Sequence, residues 1–220
     1  MRRLAFLSLL TLLAGCGKKE PLFKDKPASY WQQALQDQDS AIRREAAGAL
    51  AALKAKDAIP QLRANLQDKD EKVRAAAAEA LWSFGPEARE AVAALVPLLK
   101  DKSPAVRLTA AGALGDIGPD AWEALPALRE ALRDRDPYVR TQAATAIGRF
   151  GPESHVAVMD LSQALTDRVK AVRVAATYAL AEIGPDARAA LPALRAASNE
   201  KDGDIRSATN YALARIESNK

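Results

Sequence analysis

The stretch Val106-Arg107-Leu108-Thr109-Ala110-Ala111-Gly112-Ala113-Leu114 is one of six near-copies of a single pattern, and its recurrence decides the fold. The arginine returns at Arg43, Arg74, Arg107, Arg140, Arg173 and Arg206, at intervals of 31 and then 33 residues four times over. A fixed period of this length marks a repeat architecture whose core grows lengthwise. The residue before each arginine is Ile or Val. Three after it stand Ala46, Ala77, Ala110, Ala143, Ala176 and Thr209, six after it always alanine, and seven after it Leu50, Leu81, Leu114, Ile147, Leu180 and Leu213. Ten after it come Leu53, Phe84, Ile117, Phe150, Ile183 and Ile216. Apolar positions at this spacing trace one face of an α-helix, and the alanines let neighbouring helices approach closely.

Working outward, Gly85-Pro86, Gly118-Pro119, Gly151-Pro152 and Gly184-Pro185 each punctuate the end of such a helix. Glycine suits a helix stop and proline the start of the next. A second leucine pattern follows at Leu62, Leu95, Leu128, Leu161 and Leu194, with Leu66, Leu99, Leu132 and Leu165 four residues on. The unit is a helical hairpin that cannot bury both faces without neighbours. The first two copies lie 31 apart because the loop at Lys54-Ala55-Lys56-Asp57 is shorter and lacks Gly-Pro. Ser29 is the expected N-cap of the first helix, with Trp31 and Leu35 in the leucine columns, and Ser198, Thr209 and Asn210 suit a polar terminal cap.

The acidic turn, Val-Arg, Ala-Ala-x-Ala-Leu and Ile-Gly-Pro together resemble HEAT repeats, in particular the short variety also found in phycobilin lyases. The expected fold is all-α, an α-solenoid of about six HEAT-like hairpins over residues 29–220. The resemblance implies that the second helices line the concave face.

Residues 1–16 open with Met1-Arg2-Arg3, continue through an apolar run and close with small residues before Cys16, the single cysteine. The run is too short to cross a bilayer and reads as a secretory leader. Leu13-Ala14-Gly15-Cys16 resembles the bacterial lipoprotein signal, which implies cleavage of residues 1–15 and acylation, including palmitate, at Cys16. Gly17 after the cysteine implies delivery to the outer membrane, facing the periplasm. Residues 16–28 then form the lipidated cysteine and a tether.

The chain has 32 basic and 28 acidic residues, but six of the former and two of the latter precede Ser29. The array therefore carries equal numbers of each, which argues against a nucleic-acid partner. One cysteine and one histidine, His155, exclude most metal sites and nucleophile–base pairs. The expectation is a monomeric, non-enzymatic, cofactor-free binding scaffold for a protein partner. A bilin-lyase-like enzyme and a purely structural envelope protein are the alternatives.

Each arginine has an acid six residues before it, at Asp37, Asp68, Asp101, Asp134, Asp167 and Glu200. The two columns predict a structural ladder (Asp68, Arg74, Asp101, Arg107, Asp134, Arg140, Asp167, Arg173), paired turn to helix within each hairpin. Asp70, Asp136 and Asp202 are expected helix N-caps rather than calcium ligands. His155 shares a column with Arg89, Trp122 and Arg188 and is expected at an exposed loop or helix start. The columns left free by stacking lie one, five and nine residues after the arginine. They supply the candidate partner-binding stripe, Glu79, Ser83, Asp116, Thr145, Arg149, Tyr178, Glu182, Tyr211 and Arg215. Tyr178 and Tyr211 are its expected anchors, because tyrosine offers large contact area at low entropy cost.

Overall fold

The structure, a computed structural model, describes residues 21–218. Cys16, the leader and the start of the tether lie outside the described residues. Six helical hairpins follow one another. They are α1 (Ala28–Ala34) with α2 (Ser40–Ala52), α3 (Ile59–Asn65) with α4 (Glu71–Phe84), and α5 (Val92–Leu95) with α6 (Pro104–Ile117). Then come α7 (Leu125–Ala131) with α8 (Pro137–Arg149), α9 (Val158–Ala164) with α10 (Lys170–Ile183), and α11 (Leu191–Ala197) with α12 (Gly203–Glu217). The chain is an all-α solenoid.

Both helix patterns read from the sequence bury as their spacing requires. Leu62, Leu95, Leu128, Leu161 and Leu194 are fully enclosed, as are Ala49, Ala113, Ala146 and Ala212. One continuous core runs from Trp31 to Ile216, so the array is a self-contained folding unit. Stacking alanine on alanine brings backbones close, and two glycines bring them closer still. A Cβ at Gly115 would lie 2.8 Å from Ala146 Cα, and one at Gly148 the same distance from Ala179 Cα. The second helices α2, α4, α6, α8, α10 and α12 form a continuous, tightly packed layer, whereas the first helices touch one another far less. The longer second helices thus form one side of the stack and the shorter first helices the other.

At four junctions the glycine of Gly-Pro takes a positive φ, between 57° and 78°, and proline opens a 3-10 turn leading into the next hairpin. The short first junction does the same with Lys54, at φ 53°. A side chain in this region is strained.

Three expectations change. The end of the expected tether is folded: β1 (Leu22–Phe23) and β2 (Lys26–Pro27) form a tight antiparallel hairpin. Trp31 Nε1 donates to Phe23 O at 3.2 Å and the two rings meet edge to face. The hairpin caps the first repeat, and α1 therefore starts at Ala28 with Pro27 as its N-cap, not Ser29. At the other end Thr209 is fully buried rather than part of a polar cap, because its column is a core column; its hydroxyl has no partner. Ser198 is half-buried and Asn210 exposed.

Replacing Lys54 by glycine should relieve the strained backbone and raise stability by about 1 kcal/mol, measured as an upward shift of the denaturant midpoint. No shift, or a loss, would show that Lys54 is held there by favourable contacts.

Candidate functional site: an arginine-stapled array and its concave stripe

The ladder is built from the acidic turns. In hairpin 3, Asp101 Oδ1 accepts from Ser103 N at 2.9 Å, closing the turn before α6. This fold-back turns its carboxylate toward the preceding hairpin, where Arg74 Nε and Nη2 donate to it at 2.8 and 2.9 Å. Arg107 in turn donates Nη1 to the carbonyls of Asp101 and Lys102 in its own turn, and Nε and Nη2 to Asp134 of the next hairpin at 2.7 and 2.8 Å. Arg43 to Asp68 and Arg140 to Asp167 repeat the arrangement. The pairing expected within each hairpin is thus corrected. The arginine takes only backbone carbonyls from its own turn, and its carboxylate comes from the following one. Each of these four rungs staples two hairpins with bidentate geometry, the strongest form of ion pair.

The last rung is weaker. Glu200 stands where the others have aspartate, and its longer side chain meets Arg173 through a single contact at 3.3 Å, leaving Arg173 Nε buried without a partner. Arg206 of the final hairpin donates only to the carbonyls of Glu200 and Lys201.

Electrostatics follow from this geometry. Burial opposes ionisation of Asp101, Asp134 and Asp167, yet the guanidinium and the backbone N–H outweigh it and hold all three carboxyls below the ordinary value of 3.8. For Asp68 the Arg43 hydrogen bond is itself the largest influence, in the same direction. Asp70, Asp136 and Asp202 cap α4, α8 and α12, accepting from Lys72, Tyr138 and Asp204 N–H groups.

The concave stripe is organised in pairs. Asp116 ion-pairs with Arg149 of the next hairpin, and Glu182 with Arg215 at 3.6 Å. Tyr178 and Tyr211 meet across α10 and α12 with ring centroids 6.1 Å apart, and the Arg215 guanidinium stands over Tyr211. Neighbouring-rung packing does not hide them, since they remain 48% and 44% exposed. Beside Tyr178, a cleft of about 640 Å³ is lined by Lys170, Val174, Asp204 and Ser207. Glu79 is exposed, whereas the Ser83 and Thr145 hydroxyls are turned back onto the Ala80 and Thr141 carbonyls. These contacts divide the stripe into an ion-paired, aromatic half and a polar half.

One concave residue escaped the sequence reading. Trp82 lies across Gly112, where a Cβ would come within 2.6 Å of its ring. With Glu79, Ser83 and Asp116 it lines a second cleft of about 410 Å³. The signal was present: Trp82 is the one large residue eight after an arginine, in a column otherwise of alanine and glycine, and the glycine it needs stands in the next repeat. His155 is exposed, with Nδ1 3.2 Å from the Pro152 carbonyl. Among the described residues no cluster of histidine, cysteine and carboxylates could hold a metal, and no helix is long and apolar enough to cross a membrane.

Successive helical hairpins, stapled by one arginine–carboxylate pair per step, define the class: an α-solenoid repeat protein. The chain matches HEAT repeats over residues 23–82, 64–136, 92–159 and 125–214, and it belongs to that family. No curated protein sequence matches it. Among solved structures it is similar to a designed armadillo repeat protein in complex with the peptide (KR)4, at 22% identity and TM-score 0.75, covering 87% of this chain and 100% of that one. An engineered protein matches at 24% identity and TM-score 0.73, covering 86% and 96%. The complex of CpcE and CpcF of phycocyanin lyase from Nostoc sp. PCC7120 matches at 23% identity and TM-score 0.65, covering 95% and 82%.

Arg107→Ala should cost about 3 kcal/mol or more, since it strands the buried Asp134 carboxylate, and Arg107→Lys should not restore the bidentate contact. The lowered carboxyl values fix the pH dependence. Their stabilisation is complete above the unfolded value of 3.8 and is lost as pH falls through the lower folded values. Acid titration of the wild type against Asp134→Asn should show the steeper loss below that value in the wild type. Parallel curves would detach the ladder from acid stability.

Proposed function

We propose that this chain is a non-enzymatic scaffold that captures a protein partner on its concave face, held at the bacterial envelope by a lipid on Cys16 and facing the periplasm from the outer membrane. The observation that carries the reading is the half-exposed Tyr178, Tyr211 and Arg215 group. These side chains are ordered against each other, they sit on the inner layer, and the core does not need them. Pre-ordered aromatic and arginine side chains bind with little further entropy loss. The similar designed armadillo protein holds a peptide, which supports capture of a partner segment here. The Cys16 anchor rests on the lipobox, and the array is read as monomeric.

A bilin-lyase-like activity is the second reading, and the likeness to the phycocyanin lyase complex favours it. Incubation with a bilin and an acceptor protein separates the two, since covalent transfer would replace the scaffold reading with the lyase one.

Tyr178→Ala combined with Tyr211→Ala should reduce partner capture by at least tenfold, in crosslinking from the concave stripe in cells, with helicity retained. Undiminished capture would reject the tyrosine group as the site. Mass spectrometry of the mature protein should find an acylated N-terminal Cys16, and a free thiol or cleavage elsewhere would remove the anchor.

A further inference from the structure

The array is neutral by count, but the ladder distributes that neutrality unevenly. The residue after each turn acid is a cation in five consecutive hairpins: Lys69, Lys102, Arg135, Arg168 and Lys201. All five are exposed, and their side chains make no hydrogen bond or ion pair. The acids beside them compensate them only in part, because Asp68, Asp101, Asp134 and Asp167 are hydrogen-bonded to the arginines of the ladder, and Arg135 and Arg168 act on Asp134 and Asp167 only through space. Buried arginines thus consume the carboxylates and leave the exposed cations in excess.

The excess is greatest in the middle of this turn edge. Arg129 and Arg133 share the single carboxylate of Asp160. Hairpins 3 and 5 have Ser103 and Val169 where α4, α8 and α12 have a capping aspartate, so of the central turn-edge N-cap positions only Asp136 carries a carboxylate. Toward the ends Asp70 and Glu71 offset Lys69 and Lys72, and Lys170 is held by Asp202 and Asp204. At the same central place a cleft of about 540 Å³ opens between hairpins 4 and 5, lined by Arg133, Arg135 and Arg168 and by the carboxylates of Asp134, Asp160 and Asp167, each of which is already ion-paired to an arginine.

We propose that this edge lies against an anionic lipid surface, with the central cleft receiving a headgroup phosphate. The proposal rests on the Cys16 anchor, which would place the array beside a bilayer. A row of single cations about 10 Å apart suits a plane of spaced headgroups better than a nucleic acid, whose duplex carries a charge every ~1.7 Å. Between Cys16 and the folded Leu22–Pro27 hairpin the chain can extend to roughly 20 Å, which keeps the array close to the bilayer. Each cation near an anionic surface adds attraction that fades within a Debye length, so the contact is salt-sensitive.

The test uses the chain from Gly17 onward, which holds the whole array and lacks Cys16, sedimented with vesicles. Phosphatidylglycerol-containing vesicles should retain it at low salt and pure phosphatidylcholine vesicles should not. The combined Lys102→Glu, Arg135→Glu and Arg168→Glu variant should lose on the order of 10²-fold in retention with its melting unchanged, because none of the three is paired. Reversal of Lys54 and Arg89, which lie at the opposite edge, should have much the smaller effect. No retention, retention indifferent to lipid charge, or a triple variant that binds as well as the wild type would overturn the proposal. So would capture of duplex DNA or polyglutamate by the same three residues without vesicle binding. Mass analysis of Cys16 in the full protein is independent: a free thiol alongside intact vesicle binding would sink the anchor and leave the surface standing.

Discussion

One interaction governs this molecule: a guanidinium that reads the carbonyls of its own turn with one nitrogen and the carboxylate of the next turn with the other two. Alanine columns and the leucine face make the hairpins adhere, but burial alone is non-directional. A flat alanine surface permits sliding between neighbouring hairpins. The bidentate fork does not, because its two hydrogen bonds fix both distance and rotation between successive hairpins. Registry and adhesion are therefore supplied by different residues.

The sequence carried most of the architecture because a repeat displays each structural demand six times over. The helix faces, the helix stops at Gly-Pro and the partner leucines all followed from column comparison. What it could not display was direction. An acid six residues before the arginine and an acid twenty-seven after it recur with equal regularity in most copies, and only the fold-back of Asp101 onto Ser103 N–H decides between them. Lys54 was hidden because it meets a glycine's conformational demand with another side chain. The Trp82 and Gly112 fit was hidden because its two halves lie in different repeats and different columns.

The candidate stripe shows a related limit. The varying columns hold the half-exposed Tyr178 and Tyr211 but also the buried Gly112 and the core-packed Leu108, and exposure in a helix pattern does not reveal mutual pairing. Asp116 with Arg149 and Glu182 with Arg215 engage one another across hairpins, so their charges largely cancel before any partner arrives. Net charge misleads in the same way at the turn edge, where neutrality by count conceals cations whose nominal partners are occupied elsewhere.

The loosened rung at Arg173 and Glu200 makes the array mechanically unequal at its two ends. The first hairpin is closed by the Leu22–Pro27 ribbon and the Trp31 ring, whereas the ladder rung to the sixth is a single long contact, supplemented by the Lys170 and Glu182–Arg215 ion pairs, and the Thr209 hydroxyl there is orphaned. Nearest-neighbour stacks come apart from whichever end is least tied. The ladder accordingly has a polarity: its one loosened rung lies at the joint that the Tyr178–Tyr211 contact spans, so there registry rests on the aromatic pair and the flanking ion pairs instead of a bidentate fork.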